Sequence, residues 1–143
     1  PLMESLQSFF PGPVCEQNFW MRYSLLRDGD SMENMLRNIR GAEHTILALE
    51  TTEGEVFGAF TSSPWRKSHH VYGNGESFLW RMRKSRSIIT NSIIEQAKLE
   101  CEIDVYLWNG NNYCVQKCTS DMLSVGGGGF ENISEQFKKN KTL

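Results

Sequence analysis

No apolar run in this chain approaches the ~20 residues that a membrane-spanning helix requires. An excess of one charge is missing too: Lys and Arg number 15 against 17 Asp and Glu, for a net charge of −2. The two signs are interspersed, which argues against the broad basic face that non-specific nucleic-acid binding needs. Cysteine is sparse. Cys15, Cys101, Cys114 and Cys118 include no C-x-x-C pair, which fits a reduced, intracellular, cytoplasmic protein. No signal-peptide pattern is read at the start, and no segment repeats at a solenoid period. Nucleophile-elbow, dinucleotide and P-loop motifs are all lacking.

What remains is an ordinary globular composition over 143 residues, suited to one domain with a core of its own. The stretch from Gly54 to Arg81 organises the rest. Val56 to Phe60 is apolar on both faces, and Ser77 to Met82 alternates large residues with smaller or polar ones. The loop between them carries Pro64-Trp65-Arg66 and then Gly73-x-Gly75-Glu76.

In chain order, Leu2, Leu6, Phe9 and Phe10 have helical spacing before the stop at Pro11-Gly12-Pro13, predicting a short amphipathic helix docked on a sheet. Trp20 to Leu26 alternates like a half-buried strand. Asp30 with Glu33 reads as a capping box for a helix whose apolar face is Met32, Met35, Leu36 and Ile39, ended by Gly41. Arg37 and Arg40 suit its negative end. Thr45–Glu50 and Glu55–Thr61 read as antiparallel strands around Glu53-Gly54, apolar on both faces and so expected in the middle of a sandwich. Gly58 implies a bulge or the close approach of a neighbouring ring. The basic cluster Arg81, Arg83, Lys84 and Arg86 reads as solvated surface, with an acidic partner as the sharper alternative. Ser92-x-x-Glu95 caps a short helix that uses Ile93, Ile94 and Ala97. Ile103, Val105 and Leu107 form an inward strand face, and Asn109-Gly110 signals a hairpin returning through Tyr113 to Cys118. A four-glycine run, 126–129, and a polar, Lys-rich tail over 131–143 close the chain.

Candidate chemistry is thin. His69 and His70 are adjacent and project apart, His44 is distant, and no metal-ligand spacing is present. Gly73-x-Gly75 reads as backbone freedom at a strand entry. Glu76 is the carboxylate to watch as an acid or base; the plainer reading is a structural carboxylate that accepts backbone N–H groups or pairs with Arg66. Cys114 and Cys118 would lie about 13 Å apart on one strand face. They read as inert buried thiols, since redox sensing needs exposure and a lowered pKa.

The order of signals resembles a TLDc domain. The matching residues are Trp20-x-x-Tyr23-Ser24, Gly29-x-Ser31, Met35-Leu36-Arg37 and Gly54-x-Val56-Phe57-Gly58-Ala59-Phe60. They continue with Ser63-Pro64-Trp65-Arg66, Tyr72-Gly73-x-Gly75-Glu76-Ser77-Phe78-Leu79, Trp108-x-Gly110-x-Asn112 and the glycine run. The resemblance covers roughly residues 2–130. It implies an α+β, β-rich fold: a two-layer antiparallel β-sandwich flanked by short helices. It also implies a non-enzymatic, protein-binding module linked to oxidative-stress resistance, with no cofactor. The partner it suggests is a subunit of the vacuolar-type proton ATPase, and the parent chain is expected to be multidomain. Through the motif, Glu76, Arg66, Gly73 and Gly75 carry over as candidate functional residues. The rival reading is an antioxidant or hydrolytic enzyme using Glu76 or a reactive cysteine.

Two departures from the family pattern stand out. The link over 85–99 is long, and the last strands expected after Phe130 have no counterpart. The domain is therefore placed at 1–130, followed by the polar tail at 131–143, and an uncovered strand edge would invite association.

Overall fold

The computed structural model describes residues 1–110 and 115–126. Cys114, Tyr113, Asn112, most of the glycine run, Phe130 and the tail at 131–143 lie outside the described residues.

The fold is α+β and β-rich. Four strands, β1 (Thr45–Glu50), β2 (Val56–Thr61), β3 (Phe78–Met82) and β4 (Ile103–Leu107), form an antiparallel sheet in the order β1-β2-β3-β4. A second, two-stranded sheet pairs β5 (Gln116–Cys118) with β6 (Leu123–Val125). It meets the first sheet where Gly126 lies against Leu79. The helices are short: α1 (Leu2–Gln7), α2 (Leu25–Asp28), α3 (Met32–Asn38) and α4 (Ile93–Cys101). None of the described helices is long and apolar enough to cross a membrane.

The strand period of two decides which residues enter the core. In β3, Phe78, Trp80 and Met82 are buried, while Leu79 and Arg81 are exposed, as their alternation predicts. Across the ladder Gly58 sits opposite Trp80, and Phe60 opposite Phe78. The register is uninterrupted at Gly58, so the glycine marks a close approach and not a bulge. A β-carbon there would stand 1.8 Å from the Leu47 carbonyl oxygen and 3.0 Å from Trp80 Cζ2. The N-terminal helix docks on the sheet through Leu6, but it ends at Gln7, so Phe10 packs from just beyond it and Phe9, expected on the same stripe, is 45% exposed. Leu6 and Phe10 join Phe60, Phe78 and Trp80 in the core, and the Phe10 ring stacks on Phe60 at 4.7 Å between centroids.

Several expectations are corrected. Residues 20–24 form no strand, and Leu25–Asp28 is a helical turn; the alternation of Trp20 to Leu26 does not mark burial, since Trp20 is 80% and Leu26 99% exposed. Asp28 shapes this turn by accepting the Ser24 N–H and pairing with Arg27 at 2.8 Å. The cap of α3 is Ser31, whose side chain accepts from the Asn34 N–H, in place of Asp30. The half-buried face of α3 is Met32, Met35, Leu36 and Ile39, as expected.

Among the described strands, β2 lies inside the sheet and β1 is at an edge. Its outward Leu49 sits directly opposite Phe57, so the two cover one another while each stays partly exposed. Ser92 caps α4 as expected, but Ile93 and Ile94 face outward; the half-buried residues are Gln96, Ala97, Leu99 and Glu100. Leu107 is exposed, while Ile103 and Val105 pack on the core. Of the return expected over Tyr113 to Cys118, Tyr113 and Cys114 lie outside the described residues, and the described part does not pair with β4. β5 pairs with β6 and reaches the 62–77 loop instead, through a bridge between Gln116 and Tyr72.

Candidate functional site

The loop from Ser62 to Ser77 holds most of the motif residues, and its shape follows from a few bonds. Tyr72 closes its inner part. The Tyr72 hydroxyl accepts from the Arg66 N–H and donates to the Arg66 carbonyl, each at 2.9 Å. The Arg66 guanidinium lies 4.4 Å from the centre of the Tyr72 ring, a cation–π contact. Burial pushes the Tyr72 phenol up, opposed by its bond to the Arg66 backbone. His69 and His70 stand exposed on the segment so closed, apart from any metal set; no three His, Cys, Asp or Glu side chains cluster among the described residues.

Asn74 ties the loop to the end of β2. Its side-chain oxygen accepts from the Ser62 hydroxyl and from the Glu76 N–H at 3.1 Å. Ser77, buried, accepts the Ser62 N–H at 3.3 Å. The flanking glycines serve two different needs. Gly73 has φ +105°, a conformation that L side chains rarely adopt, and a β-carbon there would meet Gln116 Oε1 at 2.8 Å. Gly75 makes room for Trp108.

Gln116 then binds the second sheet to the loop. Its backbone exchanges hydrogen bonds with Tyr72 at 2.7 and 2.9 Å, and its side-chain amide donates to the Ser63 carbonyl at 3.1 Å. Gln116 Oε1 is buried with no hydrogen-bond partner among the described residues. Trp65 is buried, and its anchor is the Thr45 hydroxyl, to which the indole N–H donates at 3.1 Å.

Gly73 and Gly75 therefore act in loop geometry. Glu76 does not fill the structural part suggested by the sequence. Its side chain is exposed, pairs with no cation and accepts no backbone N–H among the described residues; Arg66 is turned to Tyr72 instead. Asn74, unremarked in the sequence, supplies the hydrogen bonds. The motif's spacing could have pointed to it, since Asn between two glycines is a frequent turn residue. The described cysteines, Cys15, Cys101 and Cys118, differ in environment, and no cluster of three His, Cys, Asp or Glu forms among the described residues. Burial pushes the Cys118 thiol up, opposed by nearby Lys67, which disfavours the reactive thiolate. Cys101 is exposed at the end of α4.

The basic cluster found in the sequence is neutralised. Arg81 and Arg83 both pair with Asp104, Lys84 with Glu102, and Arg86 with Glu50 and Glu100. A different basic surface is assembled by the fold. Between α3 and the Trp65 loop lies a concavity of about 370 Å³ lined by Glu33, Leu36, Arg37, Arg40, Trp65, Arg66 and Lys67.

Comparison with known proteins agrees with this architecture. The TLDc domain family model matches residues 1–142. Oxidation resistance protein 1 of Bos taurus is 30% identical over 110 residues, 76% of this chain and 11% of that protein. Oxidation resistance protein 1 of Yarrowia lipolytica is 28% identical over 139 residues, 89% of this chain and 52% of that protein. Nuclear receptor coactivator 7 of Gallus gallus is 26% identical over 128 residues, 89% of this chain and 12% of that protein. The chain thus spans from about a tenth to about half the length of these relatives. With the family match running across the whole β-rich unit and the 62–77 loop, the chain belongs to the TLDc domain family.

Proposed function

We propose that this TLDc unit is a non-enzymatic interaction module that regulates a protein partner in oxidative-stress resistance, with a subunit of the vacuolar-type proton ATPase as that partner. It works in the cytoplasm and reaches membranes only through what it binds. The observation that carries this reading is how the central motif is used. Gly73, Asn74 and Gly75 shape and fasten the loop, and the Glu76 side chain stands exposed, with no ion-pair partner among the described residues. The names of the relatives, oxidation resistance protein and nuclear receptor coactivator, support a regulatory part in oxidative stress.

The test is to immobilise the folded protein and identify what it retains from a eukaryotic lysate by mass spectrometry. Retention of proton-pump subunits supports the reading; their absence counts against it. The Glu76→Gln variant separates this reading from an enzymatic one. It should retain the same proteins as the parent, whereas an acid–base enzyme would lose turnover.

A further inference from the structure

The concavity between α3 and the Trp65 loop is basic in a chain that carries a net charge of −2. Arg37, Arg40, Arg66 and Lys67 line it against one carboxylate, Glu33. None of these four cations is in an ion pair among the described residues, in contrast to Arg81, Arg83, Lys84 and Arg86. Concentrating unpaired like charges is unfavourable for the isolated fold, and an anionic ligand relieves it.

The site is also partly pre-organised. Arg37 is braced by the Asn34 side-chain oxygen at 2.7 Å, Arg66 is held over Tyr72, and Trp65 is fixed by Thr45. Side chains already held in place lose less freedom when they bind. The cations come from two separate elements: the α3 end with the turn after it, and the loop. That distribution suits several carboxylates spaced along a chain better than a single compact anion. The recess argues for a peptide that can enter it, as a flat bilayer cannot. Leu36 and Trp65 add apolar lining for a side chain between the carboxylates.

We infer that this cleft binds an extended acidic segment of a protein partner, with carboxylates on Arg37, Arg40, Arg66 and Lys67 and an apolar residue against Leu36 and Trp65. The inference rests on the interaction-module reading and names where that module grips.

Fluorescence anisotropy tests it with a fluorescein-labelled peptide of Asp and Glu around one central Leu, beside its Asn/Gln counterpart. The acidic peptide should bind, the neutral one should not, and binding should weaken as salt rises. Arg37→Glu/Arg40→Glu on one wall and Arg66→Glu/Lys67→Glu on the other should each weaken binding by roughly tenfold or more. Glu33→Gln should tighten it, and Lys98→Glu on α4 should leave it unchanged. Circular dichroism and thermal melts establish that each variant is folded, and Arg37→Gln/Arg40→Gln replaces a reversal that is not. The proposal is overturned if the parent ignores the acidic peptide, or if folded variants of both walls bind it as the parent does. It is also overturned if phosphatidylserine vesicles, and not the peptide, bind in a way these arginines control. In the lysate experiment, a folded Arg37→Glu/Arg40→Glu protein that retains the same pump subunits as the parent removes the cleft while sparing the module. A parent that binds the peptide but retains no pump subunit spares the cleft and removes that partner.

Discussion

Trp108 packs the six-membered part of its indole against the backbone of Gly75, so closely that a β-carbon on the glycine would stand 2.5 Å from Cε3 and 2.7 Å from Cζ3. Gly75 therefore serves through the space it leaves. Gly75→Ala should destabilise the domain by about 1–3 kcal/mol, the usual range for overpacking. In a Trp108→Ala background the same change should cost much less, because the colliding ring is gone. Chemical-denaturation curves for the two singles and the double check this, and strictly additive costs would refute the contact. Gly58→Ala should be worse, at about 3 kcal/mol or more, since its obstacle is the Leu47 backbone, which cannot swing aside.

The start of α3 gives a second test. Ser31→Ala removes the side chain that accepts the Asn34 N–H, and should cost about 1 kcal/mol. Asp30→Ala, one residue earlier, should change stability by less than about half that. Urea melts of the pair decide, and a larger loss for Asp30 would move the cap back to where the sequence pattern first put it.

Asp104 should govern part of the acid limb of stability. Hydrogen bonding to Arg83 is the largest cause holding its carboxyl below the ordinary range, with Arg81 adding to it and partial desolvation opposing. Above the unfolded value of about 3.9 this contributes stability. As pH falls below that, the unfolded chain protonates first, and the contribution is lost as pH passes through the depressed folded value. The advantage of the parent over Asp104→Asn should therefore shrink between about pH 5 and 2, and should be smaller in high salt because the pair is solvated. An unchanging gap in acid melts would contradict this.

The thiols should divide by environment. Iodoacetamide should modify exposed Cys101 at least about tenfold faster than buried Cys118, whose thiol is pushed up by burial. Peptide mapping over a time course measures both rates in one sample. Equal rates would mean that the loop and second sheet open far more readily than their hydrogen bonds imply.

Much of the fold is legible where one local period decides it. The alternation in β3 and the spacing of Leu6 and Phe10 each require only a few neighbouring residues. The misses have a common cause. Trp20 to Leu26 shows a strand's alternation, yet no described strand pairs with it, and β structure is settled by partners as much as by pattern. Leu49 reads as deeply buried from its apolar character, but on β1, at the edge of the described sheet, the cover of cross-strand Phe57 is partial and leaves it about half in solvent. Within the candidate site, Arg66, Gly73, Gly75 and Glu76 were visible as a motif, though not what each does. The basic run at 81–86 was conspicuous because it is contiguous, and its acids lie far away in sequence. The basic cleft has no signature in the sequence, because Arg37 and Arg66 come to line one concavity only after folding.

The order of the four-stranded sheet follows the order of the chain, so every strand pairs with the one made just before or after it. Short-range pairing of this kind allows the meander to assemble early and fast. Leu6 and Phe10 have no such neighbour; their resting place is Phe60, Phe78 and Trp80, far downstream. On the ribosome, α1 emerges well before the strands that shelter it, so its greasy side stays uncovered until the third strand has been made, a natural hold for a chaperone during translation.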